Sequence, residues 1–145
     1  MRVPNITVIS VALAAACFLT SEDEVARVTS PSGRLDAVLV ETNGGATTSF
    51  GYYAYIVPHG KTYERGPRVA DLYAAGRSRQ AWGANLRWEG PSQLVIEYLT
   101  AQQEKLNRSL AVVGQDTIIV SLRSGVLDTT APGGGMLYNL EKGRH

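Results

Sequence analysis

The chain has 145 residues with 14 Lys+Arg against 13 Asp+Glu, a net charge of +1, and its 44% apolar and 19% charged residues suit one globular domain. It lacks the basic excess of a nucleic-acid binder. Its single Cys excludes an intrachain disulfide framework and a Cys-rich zinc module, its two His leave little for a His-built metal site, and no metal or cofactor is expected.

In chain order the first element is an address. Met1-Arg2 is a positive start, Ile6 to Leu19 is apolar except for Thr7, Ser10 and Cys17, and no charged residue falls between Arg2 and Glu22. That pattern describes a secretory signal over residues 1–16, with an uncleaved anchor as the second reading. Its end, Leu13-Ala14-Ala15-Ala16-Cys17, resembles the lipobox of bacterial lipoproteins, with the Leu one position further from the Cys than in that pattern. The resemblance implies lipidation of Cys17 and a membrane as partner. Ala14-Ala15-Ala16 also satisfies the A-x-A rule of ordinary signal cleavage at the same bond. Loss of residues 1–16 removes Arg2 alone, leaving 13 charges of each sign and no long-range steering.

Residues 17–29 read as a tether, with Glu22-Asp23-Glu24 a solvated acidic turn, and residues 30–145 as the folded domain. Arg34–Glu41 alternates as a strand, with Leu35, Ala37 and Leu39 on one face and Val38 and Val40 on the other, which suggests a sheet covered on both sides. Asn43-Gly44-Gly45 ends it. Phe50–Val57 is a second strand and Val69–Ala74 a third. Asn85–Trp88 and Gln93–Leu99 flank a turn at Glu89–Ser92, and Ser109–Val113 and Thr117–Arg123 form a hairpin around Gly114-Gln115-Asp116. Thr100–Arg108 is the one helical candidate by propensity, a polar connection being the alternative. Gly133-Gly134-Gly135 reads as loop, and Met136–Leu140 as a last edge strand. The expected fold is all-β: a single antiparallel β domain of about seven strands, sandwich-like or a partly open barrel, after an N-terminal signal helix.

Ser30-Pro31-Ser32-Gly33-Arg34-Leu35 and its alternating run resemble the turn-then-strand signature of β-propeller blades of the Tol-system type. Leu86 to Ile96 is a looser second copy. A closed propeller needs at least about four blades of ~40 residues, more than this chain holds. From Ser30 to about Val57 the chain is similar to a family of short exported bacterial proteins of unknown function, often with lipoprotein-type leaders. That resemblance implies export and a small β-rich fold, and assigns no activity or site residue.

Searched for chemistry, the sequence shows no G-x-S-x-G elbow. His59 sits in a Pro-His-Gly turn, where a base is poorly oriented. Asp36/Glu41 and Glu89/Glu97 are conceivable carboxylate pairs, with solvated strand faces as the default reading. Arg65, Arg68, Arg77, Arg79 and Arg87 fall within 23 residues and could line one face for an anion, against the default of salt-bridged or solvated edges. On the aromatic strand Tyr53 and Tyr55 share one face, Phe50 and Tyr52 the other, so one set is core and the other partly exposed. Tyr53, Tyr55, Trp82, Arg77 and Arg79 are the candidate binding residues, for a protein or a small anionic ligand. The expected function is an exported, lipid-anchored cell-envelope protein with a non-catalytic binding or structural role, membrane-anchored or periplasmic. The alternative is a small cell-envelope hydrolase.

Overall fold

The computed structural model describes residues 20–130. The expected signal segment, Cys17, the expected loop at Gly133–Gly135 and the expected edge strand at Met136–Leu140 lie outside the described residues. Within them the strands are Ser21–Thr29 (β1), Leu35–Asn43 (β2), Gly51–Pro58 (β3), Arg68–Tyr73 (β4), Asn85–Trp88 (β5), Gln93–Glu97 (β6), Gln103–Leu106 (β7), Leu110–Val113 (β8) and Asp116–Arg123 (β9), with a 3-10 turn at Tyr63–Arg65. Five strands pair in the order β1-β2-β3-β4-β7 and four in the order β5-β6-β9-β8.

The alternation of β2 explains why there are two layers. Leu35, Ala37 and Leu39 turn inward with Tyr52, Ile56 and the apolar residues of the second sheet, Leu86, Leu94, Ile96, Ile118 and Val120, in one shared core. Complete burial of such a side chain contributes about 1.5–3 kcal/mol. The opposite face of β2 is covered too. Val38, Val40 and Val57 are buried there beneath Tyr53, Tyr55 and Tyr63. The 58–67 connection lies over this face, with the Tyr63 ring 5.2 Å from that of Tyr55. The result is a β-sandwich whose first sheet carries a second small apolar cluster outside.

Three features differ from the sequence reading. Ser21–Thr29, most of the expected tether, is edge strand β1, paired to β2 from Ser21↔Asn43 to Thr29↔Asp36. A bulge between Glu24 and Ala26 lets the consecutive residues Val25 and Ala26 both enter the core. The bulge breaks the period-two signal, so the strand looks irregular in sequence. Within the helical candidate Thr100–Arg108, residues 103–106 form strand β7 instead, paired to β4 from Ala70↔Leu106 to Tyr73↔Gln103. Backbone pairing to an existing sheet outweighs the weak helix propensity of a short polar segment. The strands are also not all antiparallel: β6 and β9 pair parallel, Gln93↔Ile119 through Glu97↔Arg123. After β6 the chain crosses to the first sheet as β7 and returns as the β8–β9 hairpin. β8 is outermost and antiparallel to β9, and β9 runs alongside β6 in the same direction.

Candidate functional site

The loop from Ala74 to Ala84 connects β4 to β5 and carries the most exposed aromatic of the candidate set, Trp82, at 41%. The loop is held on both sides by backbone hydrogen bonds. The Gly76 amide donates to Thr100 O at 2.8 Å, the Leu99 amide to Gly76 O at 2.7 Å, the Gly83 amide to Ala75 O at 3.1 Å and the Asp128 amide to Arg77 O at 3.0 Å. Gly76 bridges Trp82 on one side and Thr100 on the other. Ala74, which opens the loop, is the one non-glycine residue with positive φ among the described residues (φ 51°). Such strain of ~1–3 kcal/mol persists where surrounding structure enforces it. Trp82 therefore stands on an ordered platform.

Gly76, Ser78, Arg79, Gln80, Ala81, Trp82, Leu99 and Thr100 line an open groove of about 540 Å³. Phe50 braces the indole from behind at a ring separation of 6.5 Å. A flat apolar group can lie on Trp82 while the exposed Arg79 guanidinium at the loop tip meets a carboxylate or phosphate. A second groove of about 690 Å³ opens where β3 begins and β4 ends, lined by Gly51, Tyr53, Asp71, Tyr73, Gln103 and Lys105 among others. Gly51 lines it, and a Cβ there would clash with Thr42 Oγ1.

The five candidate binding residues do not form one surface. Trp82 and Arg79 share the loop groove. Arg77, two residues before Arg79, is half-buried, and its charge acts on the Tyr52 phenol. That phenol donates to the buried Glu41 at 2.7 Å, and burial first, then this bond, push its proton affinity well above the usual tyrosine range. Tyr53 lines the second groove and carries the Arg68 guanidinium 4.1 Å above its ring. Tyr55 is packed on Tyr63. The arginines disperse likewise: Arg68 pairs with Asp71 at 2.9 Å, and Arg87 lies 3.7 Å from Glu97 on the other sheet.

The carboxylate pairs resolve differently. Asp36 and Glu41, five apart on β2, face opposite sides of the sheet. Glu89 and Glu97 converge, but on Arg123 Nη1, at 2.9 and 2.8 Å. Sequence reasoning missed a network around Asp36, which is wholly buried. Arg27 Nη1 donates to Asp36 Oδ2 at 2.9 Å, Thr29 Oγ1 to Oδ1 at 2.9 Å and the Gly60 amide to Oδ2 at 2.9 Å. Arg27 also grips the buried Glu24 through Nε and Nη2 at 2.7 and 2.8 Å, so Glu24 belongs to no solvated turn. Burial raises the Asp36 carboxyl, yet the bonds from Gly60, His59, Arg27 and Thr29 outweigh it and hold it at about 2. His59 Nδ1 lies 2.9 Å from Asp36 Oδ1 with 59% of its side chain exposed. The turn histidine thus has an orienting carboxylate, contrary to expectation. None of the three grooves, the third lying between Arg34 and Asp116, is lined by His59. Among the described residues no cluster of three or more His, Cys, Asp or Glu is placed to hold a metal.

No protein-family model, curated protein or solved structure matches the chain.

Proposed function

We propose that this chain is an exported cell-envelope protein, held at a membrane through a lipidated Cys17, whose sandwich presents a non-catalytic binding surface. The observation that carries the binding role is Trp82, exposed over the 540 Å³ groove on a loop fixed by backbone hydrogen bonds, with Arg79 beside it. The groove suits a ligand or protein segment that joins a flat apolar group to an anion. The leader and Cys17 supply the export and anchoring parts of the reading.

Two measurements test it. Fatty-acid labelling of the full chain in an exporting bacterium is expected to mark the wild type and to disappear with Cys17→Ser. An unlabelled wild type removes the anchor. For the groove, the probe is 2-naphthoate, its binding followed by isothermal titration calorimetry. Trp82→Ala is expected to weaken binding about tenfold or more, and Arg79→Ala to weaken naphthoate while sparing neutral naphthalene-methanol. Equal binding by wild type and Trp82→Ala would reject the groove.

A second reading, a small envelope hydrolase, has one observation in its favour, the Asp36–His59 pair. It requires ester hydrolysis that His59→Asn abolishes.

A further inference from the structure

We infer that, with the chain anchored through Cys17 as proposed above, the end of the sandwich that carries Trp82 rests on the phospholipid bilayer holding the anchor, with the Trp82 indole and Leu127 in the interface and Arg79 on a lipid phosphate. The strand registers put the anchor and Trp82 at one pole. Ser21 starts β1 opposite Asn43 at the end of β2, Thr42 pairs with Gly51 at the start of β3, and Gly51 pairs with Tyr73 at the end of β4. The 74–84 loop leaves from there and enters β5 at Asn85, which pairs with Glu97, and Glu97 pairs with Arg123 at the end of β9. The 44–50, 74–84, 98–102 and 124–130 segments therefore all lie at the pole where β1 begins.

Tether length names the occupant. Cys17 is four residues before Ser21, and four residues span at most about 14 Å. A lipid on Cys17 therefore keeps this pole next to the membrane, while the other pole stands a strand's length away. β4 is three strand spacings from β1, about 14 Å, so a modest tilt of the sandwich brings the Trp82 loop down to the surface. Laying the sandwich on its β1 edge instead would press Glu22 and Asp23 against lipid phosphates.

The chemistry of the pole agrees. In those four segments the only charged residues are Arg77, Arg79 and Asp128, and Asp128 accepts from Asn85 Nδ2 at 2.9 Å. The connections between the other strand ends carry Arg34, Lys61, Glu64, Arg65, Glu89 and Arg108. The charge-poor pole also exposes large apolar side chains, Trp82 at 41% and Leu127 at 63%. The backbone on both sides of Leu127 is tied down there: the Val126 amide donates to Tyr98 O and the Asp128 amide to Arg77 O, each at 3.0 Å. An indole suits the headgroup level, where its ring meets acyl chain and its N–H meets water. A guanidinium forks onto phosphate, and every phospholipid supplies one, so the near-neutral chain needs no anionic membrane. The bilayer thus offers in one partner the apolar group and the anion to which Trp82 and Arg79 are suited.

The test uses the full chain made in an exporting bacterium, its intact mass read for acyl chains, and reconstituted in phosphatidylcholine vesicles with or without lipids brominated high on the acyl chains. Bromine quenches an indole that reaches it. The chain has two Trp, and Trp88 is bonded to Val28 O near the other end of β1. Wild-type emission is expected to shift to the blue in vesicles and to be quenched by up to about half, the Trp82 share of two indoles. Trp82→Phe is expected to abolish the quenching. Leu127→Glu and Arg79→Glu, both at exposed positions outside the core, are expected to cut it about twofold or more with an unchanged circular-dichroism spectrum. A lipidated chain whose emission ignores bromine overturns the inference alone, and if it still binds 2-naphthoate the groove serves a soluble ligand. Quenching that survives Trp82→Phe, or both charge variants, overturns it equally and puts another face on the bilayer. A chain with no acyl group on Cys17 fails the anchoring reading itself, and the inference with it.

Discussion

Asp36 shows how one residue's environment becomes a measurable property of the protein. Its carboxyl is held at about 2, below its ordinary 3.8, because the donors around it favour the charged form more than burial opposes it. A carboxylate with a lowered folded-state pKa contributes stability above the unfolded value. That contribution fades as pH falls from about 4 toward 2. The gap is worth about 1–2 kcal/mol once water access on the His59 side is discounted. Urea midpoints measured from pH 6 to pH 2 should therefore fall over the lower half of that range. Asp36→Asn should lower the midpoint at pH 6 by about 3 kcal/mol equivalent, because Arg27 loses a buried partner, and should flatten the acid limb. Parallel pH curves for the two proteins would refute this role. The sequence reading puts Asp36 and Glu41 on solvated strand faces by default, and the structure buries both. The clue lay in the neighbours: Asp36 shares its face with Val38 and Val40, and a sheet covered on both sides leaves a carboxylate no water, so it needs partners. Which partners was not legible, since Arg27, Thr29, His59 and Gly60 reach it only through the pairing of β1, β2 and β3. The Trp82 groove was legible by residue type only: the sequence offers the aromatic and the arginine but not the Thr100 and Leu99 contacts that fix the loop.

At the scale of elements, legibility followed periodicity. β2, β3 and the β8–β9 hairpin alternate cleanly between turn residues, and they lie where the pattern put them. β1 hid behind its bulge, and β7 hid because an edge strand built from Gln, Glu and Lys looks like a helix until the strand it pairs with is known. The 58–67 connection makes a related point. It seals the outer apolar cluster only because Gly66 passes against β3. Its φ of −144° suits any residue, but a Cβ would fall 1.9 Å from Ile56 O and 2.9 Å from Val57 Cγ1. Gly66→Ala must push the connection off the sheet, at a cost of about 2–3 kcal/mol. Gly60, in the same connection, has φ 74° and open space around it. Gly60→Ala should cost only the backbone strain, about 1 kcal/mol. Thermal melts of the two variants should rank Gly66→Ala as the less stable, and the reverse order would mean that the connection is not seated on β3.

At the scale of the whole molecule, the two sheets share one core, so removing an edge should not trim the sandwich but collapse it. β1 decides this. It buries Val25 and Ala26 in the shared core, supplies Arg27 to Asp36 and receives the Trp88 indole on Val28 O, so it belongs to both layers. Losing two buried apolar side chains and orphaning a buried carboxylate costs at least about 5 kcal/mol. A domain of this size has about 5–15 kcal/mol in total. A chain lacking residues 21–29 but retaining residues 1–20 should therefore lose the near-ultraviolet dichroism of its packed tyrosines and tryptophans and be cleared by proteolysis. The intact chain should melt in one transition whose calorimetric and van't Hoff enthalpies agree. Were residues 17–29 only a tether, the same deletion would leave the melting temperature unchanged. Sequence alone favoured that outcome, because the physical reason against it, two core residues side by side in a bulged strand, breaks the alternation by which a strand is recognised.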